Sequence, residues 1–128
     1  FKLVVDPSVN YSGYFDARSR SITMKQIDDS VYHELGHFLA FIAGNVDKTA
    51  SFQSIFAAEK ANVTAFNKAY VTQNASEYFA ESVKDYILNN ASLKSTRPQT
   101  YAAVQNALNQ ITDAQIAKIQ KIYGAFWN

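Results

Sequence analysis

The sequence contains no cysteine, and this absence excludes a disulfide framework and any metal site built on thiolates. A transition metal could then be bound only by histidine and carboxylate ligands. Glycine and proline are also scarce, with four Gly and two Pro among 128 residues, which argues against a linker or a disordered tail. The length is that of one ordinary domain, so we expect residues 1–128 to form a single domain around one core.

Neither a charge surplus nor a long apolar run points to nucleic acid or a membrane as a partner. The 12 basic and 11 acidic side chains nearly cancel, so no strong field attracts nucleic acid or an anionic membrane. No apolar stretch approaches the roughly 20 residues of a membrane span, and residues 1–6 lack the layout of a signal peptide. The abrupt start within a strand-like run is compatible with the earlier removal of an export signal.

Short strands are predicted near the N-terminus, where three β-prone runs cover residues 1–5, 11–15 and 20–25. In the third run, Ile22 and Met24 share one face of the strand, and Ser21 and Thr23 share the other. This alternation predicts a strand that buries one face.

Helices are predicted for most of the remaining chain. Apolar residues recur at helical spacing from Val31 to Ile42, and Gly44 stops this first helix. Further helices are predicted over residues 51–59, 65–71, 76–89, 98–110 and 112–124. Strands followed by a run of helices indicate an α+β fold.

The chemistry of the sequence is concentrated in the pattern His33-Glu34-Leu35-Gly36-His37, which lies inside the first predicted helix. Residues four apart lie about 40° from each other around a helix axis, so both imidazoles can hold one ion. A catalytic zinc usually takes three protein ligands and leaves the fourth position for water. Glu34 can reach that water as a general base and can then protonate the leaving amine. Because these are the only two histidines of the chain, a packing role for both is the weaker interpretation.

The third ligand must be a carboxylate, and Glu77 and Glu81 are the natural candidates. They lie four apart on a predicted helix, so one can bind the metal while the other accepts a hydrogen bond from a ligating histidine. Asp85 extends the same face, and spacing alone does not assign the two roles. Gly36 also leaves two interpretations open, since a helical glycine either admits a neighbouring backbone or is tolerated at a cost of about 1 kcal/mol.

Together with the segment Glu77-Tyr78-Phe79-Ala80-Glu81-Ser82, the His-Glu-x-x-His helix resembles the catalytic domain of anthrax lethal factor and its smaller relatives, the Pro-Pro endopeptidases. The likeness runs over about residues 32–108 and includes residues 51–57 and 97–101, which have no obvious chemical role. The resemblance implies a zincin-like fold of the Glu-ligand type. Such a fold has a small mixed sheet with an edge strand, an active-site helix and C-terminal helices.

The resemblance also implies a role for each site residue. His33, His37 and Glu77 become the ligands of one Zn²⁺, and Glu34 becomes the general base. Glu81 becomes the carboxylate that accepts a hydrogen bond from a ligating histidine. Tyr70 stands seven residues before Glu77, and its hydroxyl is expected to donate to the oxyanion of the tetrahedral intermediate. Packing is the alternative role for this tyrosine.

Family structure further implies that the strand before the active-site helix is a sheet edge along the cleft. Ser21, Ile22, Thr23 and Met24 occupy that place and are expected to bind an extended protein or peptide substrate as an added strand. In the given sequence the N-terminal helical part of the Pro-Pro enzymes is missing or greatly shortened, and we find no counterpart of the Trp-bearing loop that they carry ahead of the edge strand. A preference for bonds near proline is therefore implied by kinship alone.

The sequence thus predicts a zinc-dependent endopeptidase. We expect a monomer that a bacterium secretes, because the resembling families are exported. Two alternatives stay open: a non-catalytic, zinc-stabilised surface module, and a lethal-factor-like toxin component that would need a delivery domain.

Overall fold

The computed structural model describes residues 2–9, 13–16, 18–19, 21–24, 29–65, 67–112, 114–115, 117–118 and 121. Three strands come first: β1 (Lys2–Val5), β2 (Gly13–Asp16) and β3 (Ser21–Met24). The helices that follow are α1 (Ser30–Ile42), α2 (Ala50–Glu59), α3 (Lys68–Val71), α4 (Ala75–Leu88), α5 (Asn90–Thr96) and α6 (Pro98–Asn109). Short 3₁₀ turns occur at Val46–Lys48 and Lys60–Asn62. The predicted α+β class is confirmed, whereas the zincin-like classification and the single domain stay predictions.

The strand order is β1-β3-β2, with β3 parallel to β1 and antiparallel to β2. The prediction that Ser21, Ile22, Thr23 and Met24 form a sheet edge is therefore wrong. The backbone groups of β3 are already used by strands on both sides, so a substrate could not add there. Within the described residues β2 pairs with β3 alone, and no strand pairs with its other edge.

The sheet packs on α1 through alternate side chains of its strands. Ile22 and Met24 are fully buried, while the other two residues of β3 are half-buried, as the alternation predicted. From β2, the ring of Phe15 packs against Phe38 and Phe41 of α1, with ring centroids 5.7 and 6.0 Å apart. These contacts place β2 alongside α1.

Helices α1 and α4 cross at Gly36. A Cβ at this position would lie 2.6 Å from both the Cα and the carbonyl oxygen of Ala80, so only glycine lets the two backbones come this close. Of the two interpretations of Gly36, the structure supports the close approach of a second backbone. Around the crossing, the core consists mainly of apolar residues from α1, α2, α4 and α6, including Leu39, Phe52, Phe79, Val83 and Val104.

Side-chain caps begin two of the predicted helices. Thr49 Oγ1 accepts a hydrogen bond of 3.2 Å from the Phe52 N–H at the start of α2, and Asn74 Oδ1 accepts one of 2.8 Å from the Glu77 N–H at the start of α4. The Gln115 N–H also donates to Thr112 Oγ1 at the start of the helix predicted over residues 112–124, but much of that helix lies outside the described residues. Helix α5 was not predicted.

Buried polar contacts join α6 to α2 and α4. The carboxylate of Glu59 accepts hydrogen bonds from the Gln99 and Thr100 N–H groups and from the Thr100 hydroxyl. The Tyr78 hydroxyl shares a further hydrogen bond of 2.6 Å with Thr100 Oγ1. Arg97 forms an ion pair with Asp85 of α4. Residues 97–101 therefore hold α4 in place, and the carboxylate of Asp85 is paired with Arg97.

Candidate active site

The two histidines project from the same side of α1 towards α4. Their ring centroids are 5.0 Å apart and their planes are nearly perpendicular, at 79°. This arrangement follows from their i, i+4 spacing, as predicted. The Nε2 atoms of both rings therefore lie near the first turn of α4.

Helix α4 supplies two carboxylates to these rings from successive turns. Glu77 Oε2 lies 2.8 Å from His33 Nε2 and 3.5 Å from His37 Nε2. Glu81 Oε1 lies 2.9 Å from the other ring nitrogen of His33, Nδ1. The geometry thus separates the two acids: Glu77 faces both histidines, whereas Glu81 contacts the far side of one.

The backbone of Glu77 is fixed by the cap at the start of α4, where its N–H donates to Asn74. A carboxylate in the first turn of a helix is also favoured by the helix dipole. Local sequence therefore places this side chain before any ion binds.

The donor set matches the chemistry of a zinc site. The ligand atoms of His33, His37 and Glu77 all lie within 4.8 Å of one another. In a tetrahedral site with bonds of about 2.0–2.1 Å, neighbouring ligand atoms are about 3.3 Å apart. The observed separations of 2.8 and 3.5 Å bracket this value, so small side-chain rotations would accommodate an ion. Two imidazoles and one carboxylate leave a fourth position for water.

Without a metal, His33 is surrounded by negative charge. Burial alone would lower its pKa, but hydrogen bonds to Glu77 and Glu81 and the charge of Glu34 outweigh burial and raise the pKa to about 9. Burial likewise acts to raise the pKa values of Glu77 and Glu81. Their hydrogen bonds with the histidines outweigh it and hold both pKa values below the ordinary range. At neutral pH both N–H groups of His33 therefore donate to the two carboxylates.

Glu34 lies on the cleft side of the histidines and is only 6% exposed. Burial raises the pKa of its carboxyl group, and the nearby histidines act in the opposite direction. A Cβ added at Gly13 of β2 would lie 2.8 Å from Glu34 Cγ and 3.0 Å from Oε1. The backbone of β2 therefore forms one wall of the space that this carboxylate occupies.

Tyr70 of α3 stands at the rim of the same site. It is 54% exposed, and its ring centroid is 6.3 Å from that of His33. Burial of its hydroxyl, the charge of Glu77 and a hydrogen bond to Glu77 all raise the pKa of Tyr70. The hydroxyl is therefore protonated at neutral pH and able to donate.

A cleft of about 420 Å³ is lined by Glu34, His37, Tyr70 and Glu77. Its walls come from β2, the second half of α1, the turn after α1, Tyr70 and the start of α4. None of the residues of β3 lines it, which agrees with the central position of that strand. The sequence did not single out Gly13 or Asp47, which also line the cleft, because neither belongs to a motif.

Comparison with known proteins places this arrangement in a family. The profile described as anthrax toxin lethal factor, N- and C-terminal domain, matches residues 15–107, and the chain belongs to this family. A curated relative from Clostridioides difficile (strain 630), named Pro-Pro endopeptidase, is 41% identical over 78 residues. The match covers 58% of this chain and 34% of the relative, so the chain spans about a third of that protein's length. The resemblance predicted from sequence is confirmed.

Proposed function

We propose that this chain is a zinc-dependent endopeptidase with a zincin-like fold. The observation that carries the proposal is the convergence of His33, His37 and Glu77. Two of these three residues, His37 and Glu77, line one cleft together with the buried residue Glu34. The curated relative is itself named as an endopeptidase, which supports peptide hydrolysis as the reaction.

His33, His37 and Glu77 would hold the ion, and Glu81 would fix the tautomer of His33 by accepting its Nδ1–H. A zinc ion held by these ligands would supply Lewis-acid activation of water and of the substrate carbonyl. Two neutral imidazoles and one carboxylate suit a divalent ion, since they leave it a net positive charge.

Glu34 acts as the general base in this proposal. It takes a proton from the water that attacks the peptide carbonyl and returns it to the leaving amine. A carboxyl group whose pKa is raised by burial accepts a proton more readily than an exposed one, so its environment suits both steps.

Tyr70 donates its hydroxyl hydrogen bond to the oxyanion that forms as the carbonyl is attacked. Its position near His33 and its raised pKa support this role, because the group must stay protonated to donate. The loss of one such donor typically costs about 3 kcal/mol of transition-state stabilisation.

An extended substrate would add to the sheet at the edge of β2 that pairs with no described strand, in place of the edge predicted for residues 21–24. Gly13, Tyr14 and Phe15 of this strand line the cleft beside Glu34, so a peptide paired with β2 would bring its backbone to the base. The name of the relative from Clostridioides difficile makes a peptide with a Pro-Pro bond the first substrate to test.

The test compares wild type, Glu34→Gln and the control Asp29→Asn, an exposed acid next to the start of α1. Each protein is loaded with zinc, its metal content is measured, and cleavage of Pro-Pro peptides is followed by mass spectrometry. We expect about one zinc per chain in all three and cleavage by wild type and Asp29→Asn only. Zinc binding without any cleavage that depends on Glu34 would support a non-catalytic, zinc-stabilised module instead.

Export from a bacterial cell and a monomeric state are further parts of the proposal. Within the described residues no helix is both long and apolar enough to span a bilayer. Fractionation of the native host and light scattering of the purified chain test these two points. A delivery domain encoded in the same gene would instead support the toxin alternative.

A further inference from the structure

The 3₁₀ turn after α1 carries a buried carboxylate that, like Glu34, has no hydrogen bond or ion pair within the described residues. Asp47 is 5% exposed and lines the same cleft as Glu34 and His37. Its backbone oxygen accepts a hydrogen bond of 3.2 Å from Gln53 Nε2, but within the described part of the chain its carboxylate has no hydrogen bond or ion pair. Glu59, by contrast, accepts three hydrogen bonds from α6.

Within the described residues the Asp47 carboxylate is not among the fully buried side-chain groups that lack a partner, so the small exposed part of this residue faces the cleft that it lines. Packing does not require an acid at this position, since no helix is capped and no cation is bound by the Asp47 carboxylate within the described residues. Its position at the cleft therefore points to a partner that arrives with the substrate.

Part of the wall of the cleft that Asp47 lines is apolar. Ala40 and Phe41 of α1 and Phe15 of β2 form this part. Lysine and arginine side chains are complementary to an apolar wall beside a carboxylate, because each has an apolar stem and a cationic end. A stem packed on Phe41 could bring the cation to Asp47, where a charge-assisted hydrogen bond would form.

We propose that Asp47 is a specificity-determining residue that selects a lysine or arginine side chain within two positions of the scissile bond. This inference rests on the proposed endopeptidase function. The interaction supplies selectivity in the same way as an acid at the end of a protease side-chain pocket, since an uncharged residue would leave the buried carboxylate unpaired.

Lys48 lines the same cleft and carries the opposite charge, so it is the natural competitor. It is exposed, whereas Asp47 is buried, and exposed charges contribute little because water screens them. The buried acid therefore determines the preference of the cleft, and Lys48 provides the matched control.

The test uses peptides based on a Pro-Pro sequence, in which Arg, citrulline, Gln or Glu replaces, one position at a time, each of the two residues on either side of the scissile bond. Citrulline keeps the shape of arginine without its charge. For wild type we expect kcat/KM to be at least about 10-fold higher with Arg than with citrulline at one of these positions. Asp47→Asn should abolish this ratio, and Lys48→Gln should keep it.

A binding measurement separates this inference from the proposed function. Zinc-loaded Glu34→Gln, with and without Asp47→Asn, is titrated with the fluorescent Arg and citrulline peptides. Asp47-dependent preference for Arg supports the inference even if wild type cleaves nothing, a result that contradicts the proposed function alone. Thermal melting checks the fold, and Asp47→Ser replaces Asp47→Asn if that variant melts early. An Arg-to-citrulline ratio that is near one, or that both Asp47 variants retain, overturns the inference.

Discussion

Gly36 of α1 lies directly against the backbone of Ala80 of α4. The nearest atoms that a methyl group at position 36 would meet are the Cα and carbonyl oxygen of Ala80, both at 2.6 Å. Neither atom can move unless the whole helix moves. This contact sets the distance between the helix that bears the histidines and the helix that bears Glu77 and Glu81.

The substitution Gly36→Ala tests this contact, because helix propensity and the clash with Ala80 change the free energy of unfolding in opposite directions. Helix propensity alone would stabilise the protein by about 1 kcal/mol. The clash with Ala80 should instead cost more than that, so we expect the free energy of unfolding to fall by roughly 1–2 kcal/mol. Zinc affinity should fall as well, because the two helices are forced apart. Urea unfolding in chelator and zinc competition titrations measure the two effects.

Ala58→Gly, at an exposed position of α2, gives the propensity difference without a clash and should cost about 1 kcal/mol. A Gly36→Ala protein that is more stable than wild type would contradict the close approach of the two backbones.

Gly13→Ala should impair catalysis while leaving the fold and the metal site intact. The added methyl group would lie 2.8 Å from Glu34 Cγ and would displace the base, whereas His33, His37 and Glu77 are not among its nearest contacts. We expect kcat to fall at least about 10-fold, because small displacements of a positioned group are costly. Zinc affinity and melting temperature should change little. Full activity in the variant would show that the base tolerates this shift.

The raised pKa of His33 predicts proton release when zinc binds. In the metal-free protein His33 titrates near 9 instead of its ordinary 6.5, because Glu77 and Glu81 stabilise its charged form. Zinc must displace that proton, so the number of protons released on binding should fall by about one as the pH rises through about 9, in addition to any proton lost by zinc-bound water. Zinc affinity should therefore rise with pH up to about 9. Calorimetry in buffers of different ionisation enthalpy counts the protons.

The raised pKa of His33 also affects the stability of the metal-free protein. A pKa raised by folding contributes stability that is complete below about pH 6.5 and is lost as the pH rises through about 9. The contribution amounts to about 3 kcal/mol. Unfolding experiments in chelator should show this loss between pH 6.5 and 9, and a flat profile in that range would refute the assignment of charge to His33.

Glu81 should strengthen metal binding without touching the ion. Its carboxylate contacts Nδ1 of His33, the nitrogen that faces away from Glu77. We expect Glu81→Gln to weaken zinc binding about 10- to 100-fold, a typical effect for the hydrogen-bond partner of a ligating histidine. Asp85→Asn is the matched control, since Asp85 lies one turn further along α4 and pairs with Arg97. It should lower stability more than zinc affinity, and equal effects on zinc would argue against the role of Glu81.

Local sequence patterns predicted the parts of the site that lie on single helices. The spacing of His33 and His37 on α1, and of Glu77 and Glu81 on α4, fixes which side chains share a face regardless of the rest of the fold. Spacing could not decide whether Glu77 or Glu81 is the metal ligand, because that depends on the position of α4 along α1. Family resemblance assigned Glu77 to the metal, and the observed contact with both histidines agrees with that assignment.

Contacts between distant segments were harder to predict. The alternation of Ile22 and Met24 identified a strand with one buried face, but it contains no information about which strands pair with it, so the edge position was wrongly assigned. Helix α5 was missed because Leu93 is its one large apolar residue and its Asn and Ser residues favour caps and turns. The burial of Asp47 likewise depends on packing among α1, α2 and α4.

The most direct test of this account is anomalous diffraction at the zinc absorption edge from a crystal of the zinc-loaded chain. The account predicts one peak about 2.0–2.2 Å from Nε2 of His33, Nε2 of His37 and a carboxylate oxygen of Glu77. Glu81 should remain on Nδ1 of His33. A crystal without a peak between the histidines, or with a peak that Glu77 does not contact, would contradict the metal site and the proposed hydrolase with it.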